Sequence, residues 1–396
     1  MPRDSSPFAG ISRNVYLLSA VSLFTDFSSE MIYPLVPLFL ANVLRAPVAA
    51  IGLIEGVAES TAGLLKFVSG ALSDRLGRRK PLVFLGYGLA ALSKPLLALA
   101  YSWPFVLAAR VLDRFGKGVR GSPRDALIAD STAPELRGRA FGFHRSGDSI
   151  GAVLGPLAAL AILWLLHNNY RAAFLIAFIP GAVATLLILP VRDSVKPPRP
   201  GPWLALRLRG ADPALLRFLA AIVIFSIGNS SDMFLILRAN QLGAASTTAV
   251  LLFAVANLLN VLTSYPAGIV SDRFGRKRVL VAGYLLFAAV YLGFGAAGSV
   301  TPLWGLYAVY GAYLGLTDGV AKAFIVDLVP ASERGSALGL QATAVSACTL
   351  PASLIAGWLW QAVAPAAPFL YGGIAALIAA GVLATAPTAP LRRSPE

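Results

Sequence analysis

The chain has 396 residues, of which 57% are hydrophobic and only 13% charged, and its mean hydropathy is +0.72. That composition excludes an ordinary soluble domain and implies a polytopic membrane protein, since about twelve spans of roughly 20 residues with short turns fill the length. The formal net charge of +14 falls in alternate loops, which argues against a nucleic-acid face. The single cysteine, Cys348, excludes intramolecular disulfides and a cysteine metal cage, and no metal site is expected.

The first apolar run covers residues 15–40. Residues 1–14 are short and polar, and the run behind them is too long and too polar inside for a cleaved signal peptide, so it is expected to stay as the first helix. Within it Asp26, Ser29, Glu30 and Tyr33 share one helical face, with Asp26 and Glu30 roughly 16 to 22 Å into the span, near mid-depth. The second run, 48–72, places Glu55, Glu59 and Lys66 on one face. After the third, 81–100, the fourth, 103–128, carries Arg110, Asp113, Arg114, Lys117, Arg120 and Arg124 as a nearly continuous stripe. Lipid cannot face such a stripe, and ionisable groups at this depth point to a cavity or a proton path.

The fifth run, 140–166, holds Gly147, Gly151, Gly155 and Pro156, small residues at intervals of four that let another helix come close. His144 and His167 lie toward opposite ends of this helix and are expected at the interfaces, not in a proton relay. The sixth run is 172–191, followed by a basic, proline-rich stretch, 192–217, with Lys-Pro-Pro-Arg-Pro-Gly-Pro at 196–202, which reads as a stiff linker. Six more runs follow near 216–237, 246–270, 279–297, 302–326, 336–361 and 368–386, and residues 387–396 are expected to be disordered. The second half is poorer in charge, offering Asn229, Asp232, Asp318 and Lys322; the last two form an i, i+4 pair.

The chain repeats itself. Residues 70–80 read Gly-Ala-Leu-Ser-Asp-Arg-Leu-Gly-Arg-Arg-Lys and residues 268–278 read Gly-Ile-Val-Ser-Asp-Arg-Phe-Gly-Arg-Lys-Arg, their aspartates 198 positions apart. Gly70, Asp74, Arg75, Gly77 and Arg78 recur as Gly268, Asp272, Arg273, Gly275 and Arg276. The sequence Ser-Ser-Glu-Met at 28–31 matches Ser-Ser-Asp-Met at 230–233, and Asp130 with Arg137 and Gly138 matches Asp327 with Arg334 and Gly335. A parallel duplication of a six-helix unit follows, of the kind in which two halves rock around a midplane site. Basic residues mark the side bearing the duplicated turn, including Lys196, Arg392 and Arg393, while the opposite loops hold little beyond Arg45, Arg171 and Arg238. By the positive-inside rule that first side, with both termini, is cytoplasmic.

The duplicated turn resembles the loop between the second and third helices of the major facilitator superfamily. The resemblance implies an all-α membrane fold of twelve transmembrane helices in two six-helix bundles, expected at 1–191 and 218–396 about the 192–217 linker. It also gives Asp74 and Asp272 the role of docking on a neighbouring helix end to hold one face shut, and it assigns the first, fourth, seventh and tenth helices to the central cavity. The fourth helix is similar to the family's proton-linked motif at Arg110, Gly116 and Gly118, but Asp113 stands where a glutamine is usual and Arg114 where a glycine is. The fifth helix resembles the motif of proton-driven exporters at Gly151, Gly155 and Pro156, with Leu157, Ala158 and Ala159 where further glycines are common.

The expectation is a proton-coupled antiporter of the cell membrane, in a bacterium the inner membrane, exporting a small amphiphilic or charged compound by alternating access. Proton-coupling candidates are Asp26, Glu30, Glu55, Glu59, Arg110, Asp113 and Arg114; substrate-cavity candidates are Tyr33, Lys117, Asn229, Asp232, Asp318 and Lys322. Structural pairing is the alternative for the buried charges, Glu59 with Lys66 or Lys94 and Asp113 with Arg110 or Arg114. No cofactor is implied, the proton gradient being the energy source, and the partners are the substrate and the bilayer around a monomer. Uptake or facilitated diffusion of a polar metabolite, organic anion or metal chelate is the rival within transport. A membrane sensor or lipid enzyme is the rival outside it, but no nucleophile–base pair, phosphate-binding loop or soluble output domain is legible.

Overall fold

The computed structural model describes residues 12–133, 136–193, 212–330 and 334–387. The linker at 194–211, with Lys196 and Pro202, the termini at 1–11 and 388–396, with Arg392 and Arg393, and the side chain of Arg334 lie outside the described residues. Among those described there is no strand.

The helices follow the apolar runs closely. They are α1 (Arg13–Ile32), α2 (Leu35–Leu38), a π-helical turn (Phe39–Val43), α3 (Val48–Leu76), α4 (Lys80–Leu99), α5 (Trp103–Asp130), α6 (Arg137–Leu165) and α7 (Tyr170–Leu186). The second half supplies α8 (Pro213–Gly228), α9 (Met233–Gln241), α10 (Ser246–Phe274), α11 (Arg276–Ala296), α12 (Leu303–Asp327), α13 (Arg334–Ala362) and α14 (Ala367–Ala384). Local chemistry sets the ends. Asn169 accepts from the Ala172 amide at the start of α7, and Asp212 from the Ala214 amide at the start of α8, each satisfying an otherwise orphaned donor. Proline opens α4, α5, α8 and α14, where its missing N–H is not needed. Gly77 and Gly275 turn the chain at φ +61° and +91°, values that L side chains rarely adopt.

Two expected helices are interrupted. The first bends at Tyr33 and Pro34 before resuming as α2 and the π-turn. The seventh stops at Asn229 and restarts at Met233, so Asn-Ser-Ser-Asp at 229–232 lies between α8 and α9. Eight helical segments among the described residues are long and apolar enough to cross a membrane. The long helices α1, α5 and α12 are not among them, because their polar side chains lower the hydropathy. Large apolar side chains such as Leu99, Trp164, Tyr265 and Trp358 are exposed, a surface suited to hydrocarbon.

The chain forms two compact units, one of residues 1–46 and 57–201, the other of 47–56 and 202–396. In the first, α1 packs on α6 and α7, and α4 on α5 and α7. In the second, α8 packs on α13 and α14, and α11 on α12 and α14, so the sequence repeat is also a packing repeat. A core of Val15, Leu18, Val83, Leu127, Ile128 and Ile188 joins α1, α4 and α5 to the end of α7 in the first unit. Within the second, a Cβ on Gly52 would lie 2.3 Å from the Ser353 carbonyl oxygen, so only glycine lets the start of α3 lie this close to α13.

Candidate functional site

The first unit buries an ion network in its span-length helices. Asp113 of α5 faces Lys94 of α4 at 3.3 Å, Arg110 at 3.5 Å and Arg114 at 3.1 Å. Arg114 in turn reaches Glu59 of α3 at 2.6 Å. Ser93 adds a hydrogen bond to Asp113 at 3.4 Å, and Lys94 also donates to the Ala90 carbonyl at 2.7 Å. Arg110 lies 5.9 Å from the Tyr33 ring centroid and Arg120 4.3 Å from that of Tyr87, both within cation–π range. Asp113 and Lys94 are buried, whereas the Glu59 side chain is 32% exposed. Glu59 is therefore the network's accessible carboxylate. Its partner is Arg114, and Lys94 serves Asp113, so of the alternative structural pairings that of Asp113 with Arg110 and Arg114 is present, while for Glu59 the ion pair is with Arg114 in place of Lys66 or Lys94.

Close backbone packing lets these charges meet. A Cβ on Gly116 would stand 2.4 Å from the Gly86 carbonyl oxygen, and one on Gly118 would stand 2.9 Å from that of Ala62, so α5 lies directly on α4 and α3. Gly147, Gly151 and Gly155 do the same for α6 against α1, where added Cβ atoms would come within 2.6–2.8 Å of Ser19, Leu23 and Glu30 atoms. Pro156 continues α6 without ending it. Asp26 and Glu30, both half-buried, sit on the α1 face against this glycine row. Glu55 is fully buried, and Lys117 is exposed.

At the equivalent positions of the second unit the charges become tyrosines. Lys94, Arg110 and Asp113 correspond, each 197 residues on (291 − 94, for instance), to Tyr291, Tyr307 and Tyr310. All three tyrosines are buried. They belong to an aromatic cluster in which Phe225 stacks on Tyr284 at 4.3 Å and Phe287 on Tyr291 at 3.9 Å between centroids. The cluster faces the break between α8 and α9. Tyr310 donates to Asp232 at 2.5 Å and Tyr291 to Asn229 at 3.5 Å, so two of the expected cavity residues are brought together there. Asp318 and Lys322 are exposed on α12. The tyrosines were missed by a search for charge; the repeat offset alone could have found them.

Each copy of the duplicated turn forms an Asp–Arg–Asp circuit, through Arg79 in the first and through Arg276, the counterpart of Arg78, in the second. Asp74 pairs with Arg79 at 3.3 Å, and Arg79 with Asp130 at the end of α5 at 3.0 Å. In the second unit Asp272 pairs with Arg276 at 3.4 Å, and Arg276 with Asp327 at the end of α12. Each aspartate thus reaches a neighbouring helix end through an arginine. Gly70 lies against Ser122 of α5, and Arg75 is exposed. Arg78 lines a groove of about 420 Å³ with Lys80, Phe84 and Leu189, and Arg273 lies over Phe274 at 5.6 Å. At the opposite end the sparse arginines bind carbonyls: Arg171 donates to Ala98 at 2.5 Å, and Arg238 donates to Phe294 and Ala297 at 3.1 and 2.8 Å. His144, expected at an interface, is buried.

Apolar helices with buried ion pairs, a broken span and an internal repeat define a multi-pass membrane protein of the transporter kind. The chain belongs to the Major Facilitator Superfamily, whose family model matches residues 18–238 and 218–396. It is 36% identical over 374 residues to an uncharacterised MFS-type transporter of Methanocaldococcus jannaschii, covering 93% of each chain. It is also 26% identical over 361 residues to the multidrug resistance protein MdtH of Cronobacter sakazakii, covering 88% of this chain and 86% of that one. Among solved structures it shares its fold with the nucleoside transporter NupG, with a TM-score of 0.77 at 13% identity over 94% of this chain and 99% of that one.

Proposed function

We propose that this protein is a proton-coupled antiporter of the cell membrane, exporting a small amphiphilic or charged compound by alternating access, with the duplicated turn and both termini on the cytoplasmic side. The observation that carries this reading is the Glu59–Arg114–Asp113–Lys94 network. Ionisable groups at membrane depth are costly and mark ion paths. Arg114 bridges two carboxylates, one buried and one accessible, so it can hold Asp113 while Glu59 exchanges its ion pair for a proton. Glu59 protonation and substrate binding then compete for the same guanidinium, which is the coupling an antiporter needs. The likeness to MdtH supports export, and the two Asp–Arg–Asp circuits supply contacts that form and break as one face closes and opens. Asp232, with Tyr310 as its donor, supplies the second unit's contact to a polar group of the substrate. No cofactor is required; the proton gradient drives the cycle.

The test is proton movement in proteoliposomes carrying a pH gradient while amphiphilic cations, organic anions and metal chelates are added singly. Compound-dependent proton movement supports antiport and names a substrate class. The second reading, uptake or facilitated diffusion of an organic anion, draws on Arg110 and Arg114 as anion ligands and requires labelled anion to cross without protons.

A further inference from the structure

Outside the Glu59 network the first unit holds a second set of buried titratable groups. His144 and Asp148 are one turn apart on α6, His144 Nδ1 lying 3.7 Å from Asp148 Oδ2. His144 is only 4% exposed. Its Nε2 and Asp148 Oδ1 are buried with no hydrogen-bond partner. Such groups are rare because each forfeits its hydration, and they call for a role.

Their place on the α1–α6 seam suggests one. Asp148 lies one turn before Gly151, whose Cβ, if present, would stand 3.1 Å from that of Asp26. Asp148 and Asp26 therefore share the seam. Both helices start at the end bearing the duplicated turn, where Asn14 of α1 donates to Ser131 just past α5. Counted from those starts at 1.5 Å per residue, His144, Asp148 and Asp26 lie about 10, 16 and 20 Å deep. The three groups descend from the membrane face to mid-depth. The charges that face His144 and Asp26 most strongly come from α5 and α6. His144 is faced by Asp148 and Arg145 of α6 and by Arg124 and Asp125 of α5, and Asp26 by Asp148 and by Arg120, Lys117 and Arg124 of α5. Arg124 is held by Asp125 at 2.8 Å and by Ser22 of α1 at 3.3 Å.

We infer that His144, Asp148 and Asp26 form a proton relay along the α1–α6 seam, with His144 as its group nearest the membrane face. The relay rests on the proton-coupled reading above for its use in transport, but not for its existence. A proton on the Asp26 carboxyl passes to the Asp148 carboxylate and from there to His144 Nδ1. The imidazolium then rotates toward the membrane face and releases that same proton from Nδ1 to water, which leaves the starting Nε2–H tautomer, and the ring swings back. No group is oxidised or reduced. The 3.7 Å gap exceeds a hydrogen bond, so transfer waits on a side-chain rotation that closes it to about 3 Å.

Proton uptake after a pH jump on the purified protein, followed with a pH-indicating dye, tests this with the proton itself as ligand. The expected wild-type trace contains a phase that Asp26→Asn removes. His144→Gln slows that phase tenfold or more, and added imidazole restores it in His144→Ala, a rescue that a merely structural histidine would not give. Asp148→Asn gives the same slowing and serves should the histidine variants not fold. An Asp26-dependent phase that keeps its rate in His144→Gln and Asp148→Asn, or a wild type with no such phase, overturns the relay. If the phase behaves as expected while no compound moves protons in proteoliposomes, the antiport reading fails and the relay stands as a proton site.

Discussion

The Asp113→Asn substitution isolates what the buried network contributes. Asp113 is 2% exposed, with cations at 3.1, 3.3 and 3.5 Å. The amide keeps the shape and removes the charge, leaving Lys94, Arg110 and Arg114 facing one another across a neutral group. Removing one partner of a buried ion cluster costs about 3–5 kcal/mol. The control is Asp272→Asn, whose side chain is 70% exposed and whose ion pair contributes at most about 1 kcal/mol. At about 2–4 °C per kcal/mol for a unit of this size, Asp113→Asn should lower the melting temperature by about 6–20 °C. Asp272→Asn should lower it by no more than about 4 °C. Both are read by thermal unfolding of purified protein at fixed detergent, lipid and scan rate. Adding Lys94→Met to Asp113→Asn should recover part of the loss, because it removes a cation that is only 1% exposed and has lost its carboxylate. An Asp113→Asn protein melting within about 2 °C of wild type would refute the view of this network as a desolvated ion cluster.

Other substitutions probe the seam and the turns. Gly151→Val places atoms where a Cβ alone would be 2.6 Å from the Leu23 carbonyl oxygen, so α1 and α6 must part at a cost of about 1–3 kcal/mol, seen as a lower melting temperature. Gly275→Ala puts a Cβ on a backbone at φ +91° and should cost on the order of 1 kcal/mol; an unchanged melting temperature would mean that the turn relaxes. Arg79→Ala should destabilise more than Arg276→Ala, by on the order of 1 kcal/mol, since the Asp130 side chain is 8% exposed and that of Asp327 47%. Asp74→Asn, at a side chain 52% exposed, should leave expression and melting nearly unchanged while slowing transport; normal transport would remove its role as a gate.

The helices were legible because apolar runs of span length admit few other readings, and the repeat was legible because its turn needs glycine and charge at fixed places. Interruptions were harder to see. Nothing in apolarity stops the seventh helix at Asn229, and only the Asn-Ser-Ser-Asp run, whose side chains compete for backbone hydrogen bonds, hints at the break. Pairing was legible in kind but not in partner, because helix periodicity places Glu59 on a face without saying which helix meets it. Gly118 decides that, bringing α5 against Ala62 and Leu65 of α3. The tyrosine cluster was hidden by its neutrality, and the burial of His144 because distance along a helix gives depth but not which neighbour covers a face.

The central claim is that Glu59 couples protons to substrate through Arg114. It is tested most directly by comparing two modes of transport in wild type and Glu59→Gln, using a compound found by the proteoliposome panel: accumulation driven by a pH gradient, and exchange of labelled for unlabelled compound with no gradient. The account predicts that Glu59→Gln abolishes gradient-driven accumulation while retaining exchange. Loss of both modes with normal folding, or gradient-driven accumulation at the wild-type rate, would contradict it.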